Sequence, residues 1–282
     1  MRILVAGAGG VVGLPLTREL IAQGHAVIGT SRNPDSRPEL HDAGATVVRM
    51  DAFDLASVEH AIAEARPDAV IHQLTDLSAV DLEANAELRI VGTRNLVDAM
   101  RRYGVQRLIT QSIAWLYADG DGLADGDGLA DETVPLREAT GPSARTIEGV
   151  VAMEHTAREI PDHVILRYGK LYGPGTWYSP DGDFGRAARD GVFSGNGIES
   201  FLHIADTVAP TVAALGWPAG IVNVVDDEPA GPDQWLPVFC RWVGGQTPTG
   251  LSPGAGRGAS NVKARNLGWV PKYPSWRMGM SG

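Results

Sequence analysis

The chain has 282 residues, with 24 Lys+Arg against 34 Asp+Glu and a formal net charge of −10 at pH 7. That length holds one large α/β unit with an appended lobe and a well-buried core. The acidic balance argues against nucleic acid or an anionic membrane surface as a partner, since both want a basic face. No apolar stretch has the length of a bilayer span, and the N-terminal apolar run stops at glycines without a cleavage region, so no signal peptide is expected. The single cysteine, Cys240, has no partner for an internal disulfide, which points to a reducing, cytoplasmic setting.

Ile3 to Ala6 form a short apolar run that breaks into Gly7, Gly10 and Gly13, spaced three apart. Helix-spaced Leu14, Leu16, Leu20 and Ile21 then lead to Gly24. The pattern reads as strand, glycine turn, helix. Such a turn wants residues without a β-carbon, so that the chain bends sharply, a pyrophosphate reaches the helix N-terminus and the helix packs on the strand. A second strand over 26–29 ends in Thr30-Ser31-Arg32, and a third over 46–50 ends at Asp51. A helix over 55–65 stops before Pro67, whose missing donor and steric demand oppose continuation. The fourth strand covers 69–73. Asp81 is placed to cap a long helix reaching Arg102, with Gly104 in the C′ position, and the fifth strand covers 107–112. Strands alternating with helices at this spacing predict an α/β fold, a Rossmann-type doubly wound parallel sheet covered on both faces. Its ligand is expected across the carboxyl ends of the strands, where the glycine loop, Arg32, Asp51 and Ser112 fall.

The pattern breaks between Tyr117 and Val134, where Gly-Asp-Gly-Leu-Ala-Asp occurs twice in tandem, at 120–125 and 126–131. Its aspartates lack EF-hand spacing and a terminal bidentate Glu, so an acidic flap beside the cleft is expected rather than a calcium site. No His/Cys/Asp/Glu cluster has metal-ligand spacing, and no metal is expected. A helix over 143–159 and a strand over 163–168 follow. Residues 1–168 are expected as a dinucleotide-binding domain and 169–282 as a smaller C-terminal substrate lobe, interleaved with the first around 200–225. Trp177, Tyr178 and Phe193 lie in a polar, glycine-rich stretch, where they either wall an apolar ligand or fold the lobe. Trp115 and Tyr117 join them as candidate substrate contacts. Cys240, among Val238, Phe239 and Trp242, reads as a packed thiol.

With these segments in hand, the chain resembles the extended short-chain dehydrogenase/reductase family, which contains sugar-nucleotide epimerases and dehydratases. The resemblance rests on Gly7-x-x-Gly10-x-x-Gly13, Asp68-Ala-Val-Ile-His72, Gly92-Thr-Arg-Asn-Leu96, the run from Leu166 to Gly175, Phe201-Leu-His-Ile-Ala-Asp206 and Lys263-Ala-Arg-Asn-Leu-Gly-Trp269. It implies a nicotinamide dinucleotide held by Gly7, Gly9, Gly10, Val11, Val12, Gly13, Ser31, Arg32, Asp51, Ala52, Gln73 and Leu74. Family members that prefer NAD end the second strand in an acid. Ser31 and Arg32 stand there instead, and a guanidinium fork suits a 2′-phosphate, so NADP(H) is expected.

The catalytic positions depart from the family. Its members carry Ser/Thr after the fifth strand, Tyr-x-x-x-Lys on the next helix and often Asn on the preceding one. Aligned through Tyr117 and Glu154, those places hold Ile113, Thr146, Val150 and Arg89. No Tyr lies between Tyr117 and Tyr168 to restore the motif. Ser112, Thr146 and Lys170 remain as candidate catalytic residues. Ser112 precedes the expected hydroxyl by one position and points to the other side of a continuing strand. A desolvated Lys170 titrates near neutrality, whereas a solvated or clamped one does not. Thr146 is limited to an orienting hydrogen bond. Arg89 either polarises an acidic substrate group or pairs at the surface with Glu87 or Asp81.

The expected function is NADPH-dependent reduction of an aromatic hydroxyketone whose own phenol supplies the proton. That matches the atypical polyketide-tailoring reductases of the family, angucyclinone ketoreductases of antibiotic biosynthesis among them. A replacement donor within the protein is a second possibility. A non-catalytic NADP sensor, or a sugar-nucleotide epimerase/dehydratase relative, is a third. His72 is expected as a satisfied core histidine, and His203 and Asp206 as fasteners of the returning strand to the small lobe. The resemblance also implies a homodimer through the helices at 83–102 and 143–159.

Overall fold

A computed structural model describes the chain except residues 76–80, 121–127, 196, 255 and 282, so much of the duplicated acidic segment lies outside the described residues. In chain order the first elements are β1 (Arg2–Ala6), α1 (Gly13–Ala22), β2 (Ala26–Ser31), α2 (Pro38–Asp42), β3 (Thr46–Arg49), α3 (Leu55–Ala65) and β4 (Ala69–His72). Then come α4 (Leu82–Glu87), a π-helical turn (Leu88–Gly92), α5 (Thr93–Arg102), β5 (Arg107–Ile113), α6 (Ala144–Ala157) and β6 (Asp162–Tyr168). The remainder is β7 (Lys170–Tyr172), α7 (Asp183–Arg189), β8 (Phe201–His203), α8 (Val208–Ala213), β9 (Gly220–Val224), α9 (Pro232–Val243), α10 (Val262–Asn266) and α11 (Trp276–Gly279). Two compact units result: 1–112, 138–166 and 211–221 form the first, and 113–137, 167–210 and 222–282 the second.

The main sheet has the strand order β3-β2-β1-β4-β5-β6-β9. β1 pairs in parallel with both β2 and β4, with Leu4 opposite Ile28 on one side and Val70 on the other. This is the expected doubly wound parallel sheet. Chain order reverses direction at β1, and in such sheets ligands bind in the crevice that the reversal opens. Strand residues Leu4, Ile28, Val70 and Leu108 pack with Val58 and Ile62 of α3 and with Leu96, Val97 and Met100 of α5. Each such side chain taken fully out of water contributes about 1.5–3 kcal/mol.

Helix ends follow the sequence signals. The Asp54 carboxylate accepts from the Ala56 amide at 3.0 Å and the Asp81 carboxylate from the Ala84 amide at 2.9 Å. Gly104 terminates α5 at φ +73°, and α3 ends at Arg66 before Pro67. The expected long helix from Asp81 to Arg102 is present but carries the π turn at its middle. There the wider repeat inserts one extra residue into the helical ladder.

Sequence reading passed over Arg107 at the start of β5. Only 7% exposed, it donates to the Asp162 carboxylate of β6, to the Ala214 carbonyl and, at 2.7 Å, to the Trp217 carbonyl. One guanidinium thus ties two strands to the segment after α8.

In the second unit β7 and β8 pair in parallel, Leu171 opposite Leu202. Its core is aromatic: Tyr172, Tyr178, Phe201, Trp235, Phe239 and Trp276 are buried together, with Cys240 among them. Asp206 accepts from the Lys272 and Tyr273 amides at 2.8 and 2.9 Å, and the His203 ring stacks on Tyr273 at 3.8 Å. His203 and Asp206 therefore hold the C-terminal segment.

Replacing Arg107 with Met is expected to lower stability by about 2–4 kcal/mol, because buried carbonyls lose their donor. Asp162→Asn, at a half-exposed carboxylate, is expected to cost less than about 1 kcal/mol. Urea unfolding of the two variants checks the contrast.

Candidate functional site

The first unit has a cleft of about 350 Å³ at the carboxyl ends of β1, β2 and β4. Its walls are Gly7, Gly9 and Gly10, the segment Thr30–Arg32, Arg37, residues 50–53, residues 73–75 and Leu88. The glycine turn is shaped by close backbone approach. Gly7 has φ +89°, and a β-carbon on it would lie 2.6 Å from the Gln73 carbonyl oxygen. One on Gly13 would lie 2.0 Å from the Gly7 carbonyl oxygen. Only glycine lets α1 begin directly beneath β1. Val11 stands exposed at the turn, while Val12 and Gly13 are buried at the helix start and support the wall without lining it.

Around this turn the cleft is polar on one side and apolar on the other. The Ser31 hydroxyl donates to the Asn33 carbonyl and accepts from the Asn33 amide, so it shapes its own loop. Arg32 is exposed on the cleft wall. A second arginine, Arg37, joins it, with its guanidinium 3.3 Å from where a Gly9 β-carbon would stand. Sequence reading missed Arg37, which follows Arg32 by five residues in the same basic loop. It also missed Phe53, an aromatic ring left 50% exposed on the wall beside Asp51 and Ala52. The Ala52 carbonyl is fixed by the Asn95 side-chain amide at 2.8 Å.

His72 ends β4 and is fully buried. Its Nε2 lies 2.9 Å from the Thr93 hydroxyl, and its Nδ1 accepts from the Leu74 amide at 3.2 Å, which fixes the wall segment Gln73–Leu74. Burial, reinforced by the Arg89 cation, lowers its pKa from 6.5 to about 4. A neutral ring bonded on both sides is a structural histidine, as the sequence suggested.

Of the expected acid–base positions, Arg89, Thr146 and Val150 lie on the π turn and α6, which pack on each other and on α4. Arg145 of α6 bonds Glu83 at 2.8 Å and Glu87 at 2.9 Å on α4, and a β-carbon on Gly149 would lie 2.9 Å from the Ala86 Cα. The two helices are therefore in close register. Thr146 and Val150 are buried on α6, and Ile113 is buried at the end of β5. Ser112 donates to the buried Glu154 carboxylate at 2.7 Å, so its hydroxyl proton is already committed. Arg89, on the π turn, is 9% exposed. Neither acid that sequence reading offered it is available: Glu87 pairs with Arg145, and Asp81 caps α4. The surface pair is therefore replaced by a buried guanidinium, and desolvation lowers its pKa to about 10.

In the second unit, Lys170 bonds Glu199 and lies over the Trp115 and Tyr178 rings at 5.5 and 5.7 Å. Burial opposes its charge, yet the Tyr178 phenol and the Glu199 carboxylate outweigh that and raise its pKa above the ordinary lysine range. Lys170 is thus paired with an acid, which favours its charged form. Tyr117 donates to Asn223 at 2.5 Å under the Arg167 guanidinium, and burial raises its pKa to about 12. Tyr178 is enclosed by the rings of Phe184, Phe193, Phe201, Trp235 and Phe239, which makes it a core residue. Trp115, Trp177 and Phe193 are half-buried. Among the described residues no acidic, His and Cys group is arranged to hold a metal, and no helix is long and apolar enough to cross a membrane.

Residues 3–224 match the NAD dependent epimerase/dehydratase family, and the chain belongs to it. It is 40% identical to a 3-diazoavenalumate denitrifying reductase of a Streptomyces species, over 99% of each chain. It is 35% identical to a 2-alkyl-3-oxoalkanoate reductase of Stenotrophomonas maltophilia over 40% of this chain and 33% of that one. Among solved structures, the Thermus thermophilus UDP-glucose 4-epimerase in complex with NAD superposes with a TM-score of 0.77 at 26% identity, covering 99% of this chain and 96% of the other.

Because the folded His72 resists protonation while the unfolded one does not, its contribution is complete above about pH 6.5 and is lost as the pH falls toward 4. The loss amounts to about 3 kcal/mol. In His72→Gln, the fall in unfolding temperature between those two pH values is expected to be shallower than in the parent protein, as measured by thermal melts across that range.

Proposed function

We propose that the protein is a nicotinamide-dependent reductase whose hydride acceptor takes no proton from the protein. One observation carries this reading. A cofactor-type cleft is intact, while the positions for proton donors hold Ile113, Thr146 and Val150, and the neighbouring Ser112 is spent on Glu154.

The cleft fits a dinucleotide. The turn from Gly7 to Gly13 has no side chains at its closest approaches and would receive the pyrophosphate at the start of α1. Asp51, Ala52 and the exposed Phe53 ring would hold the adenine, with Gln73 and Leu74 along the adenosine. Arg32 and Arg37, with no acid at the end of β2, would take a 2′-phosphate and select NADP(H).

When bound in reduced form, the cofactor supplies a hydride. A ketone that accepts it must also gain a proton, whereas an aromatic diazonium carbon that accepts it forms a C–H bond, releases N₂ with the C–N bonding pair and gains no proton. Thr146 is too weak an acid to donate, and Lys170 is held in its protonated form by Glu199. The residues present therefore bind, orient and exclude water, which suits the diazo acceptor. The full-length likeness to a reductase named for loss of nitrogen from a diazo acid supports the same acceptor class. A second reading is the aromatic hydroxyketone, its phenol supplying the proton. It draws support from the partial likeness to an oxoalkanoate reductase.

Stopped assays with an o-hydroxyarenediazonium carboxylate and 4-deuterated NADPH test the first reading. One equivalent of N₂ and one deuterium at the vacated ring carbon are expected, with none from deuterated solvent. Oxidation of NADPH only by phenolic ketones would favour the second reading, and tight NADPH binding without turnover on either would overturn both. Thr146→Val and Lys170→Met are expected to leave kcat within about threefold of the parent, since neither transfers a proton. For the cofactor, Arg32→Ala and Arg37→Ala are each expected to weaken NADPH binding by about tenfold while leaving NADH binding unchanged, as read by fluorescence titration.

A further inference from the structure

Arg89 stands apart from the other buried cations. Arg107 has its carboxylate and two carbonyls, and Lys170 has Glu199. No hydrogen bond or ion pair joins Arg89 to any described residue, although it is 9% exposed. A guanidinium removed from water without a counter-charge is costly and is retained where an anion completes it. Its place is specific. Leu88, the preceding residue, lines the cleft, and Arg89 is near enough to His72 to lower that ring's pKa just ahead of the wall residues Gln73 and Leu74. The π turn that presents it packs on α6, and the Arg145 and Gly149 contacts set the level of that packing beside Thr146 and Val150. Val150 is the position that, by the family resemblance, would carry a lysine. π turns of this kind recur at functional sites.

We propose that Arg89 is an anion anchor that receives an anionic oxygen of the aromatic substrate, a carboxylate or a phenolate, and so returns from the α4–α5 helix the positive charge that α6 lacks at Val150. The identity of the substrate rests on the reductase reading above; the existence of an anion site does not. With its pKa near 10, Arg89 stays charged at neutral pH and transfers no proton. It is a binding residue that holds developing or resident negative charge.

The test uses the NADPH-loaded protein, with cinnamate as the carboxylate probe and methyl 4-hydroxycinnamate at alkaline pH as the phenolate probe, both followed by calorimetry. The parent is expected to bind at least one probe, Arg89→Lys to retain most of that affinity, and Arg89→Met to lose about ten- to a hundredfold. NADPH affinity is expected to stay the same in both variants. Probe-free Arg89→Met is expected to melt at or above the parent temperature, because an unpaired buried charge is gone; a merely structural arginine would give a lower one. A lower melting temperature, unchanged probe binding, weakened NADPH binding, or no binding of either probe by the parent would overturn the proposal. Turnover unaltered in Arg89→Met would remove the anchor and leave the reductase standing. Probe binding lost in Arg89→Met, with no turnover on any acceptor, would do the reverse.

Discussion

The contact between Gly7 and Gly13 is the constraint from which the first unit follows. Two backbone segments approach so closely there that one β-carbon at position 13 would fall 2.0 Å from a carbonyl oxygen. That approach brings α1 directly under β1 and leaves its first amides at the end of the sheet where strand order reverses. The His72 ring braces the opposite wall by accepting from the Leu74 amide. Because the wall is fixed by backbone and by buried neutral groups, the cleft has its shape before any ligand arrives.

The neighbouring helices have been put to different use from what family membership alone implies. Glu154 and Ser112 bond to each other across α6 and β5, which turns the Ser112 hydroxyl into a structural pin. Arg145 spends three hydrogen bonds on glutamates of α4 and of its own helix, locking the register of the two helices. The buried Arg89 sits on the π turn that packs on α6, where Thr146 and Val150 are buried. On the reading proposed above, such a site favours anions and offers no proton donor. That combination, rather than the fold, narrows the reaction.

Much of this was legible in the sequence because local rules governed it. The glycine spacing, Asp54 and Asp81 as caps, Gly104 as a terminator and the strand–helix alternation each act within a few residues, and all of them recur in the structure. The absence of a Tyr-x-x-x-Lys motif was likewise plain. What was hidden depends on long-range geometry or on helix phase. Arg107 shows nothing in its own neighbourhood of the carbonyls at 214 and 217 that it holds. Lys170 and Glu199 are 29 residues apart, so the lysine read alone could not be told apart as desolvated, solvated or clamped. For Arg89 the reason is the π turn. An extra residue rotates the helix by about 100° against ordinary periodicity, so sequence spacing left Arg89 open between an acidic substrate group and the surface acids Glu87 and Asp81.

The single cysteine gives the second unit an intrinsic reporter. Cys240 is 1% exposed between Phe239 and Arg241 on α9, within the aromatic cluster, and burial raises its thiol pKa. Reaction with a thiol reagent therefore requires α9 to leave that cluster, so the labelling rate of the unmodified protein measures how often the unit opens rather than how reactive the sulfur is. No engineered probe is needed to follow the local breathing of one unit, because the chain holds no other thiol to confuse the signal.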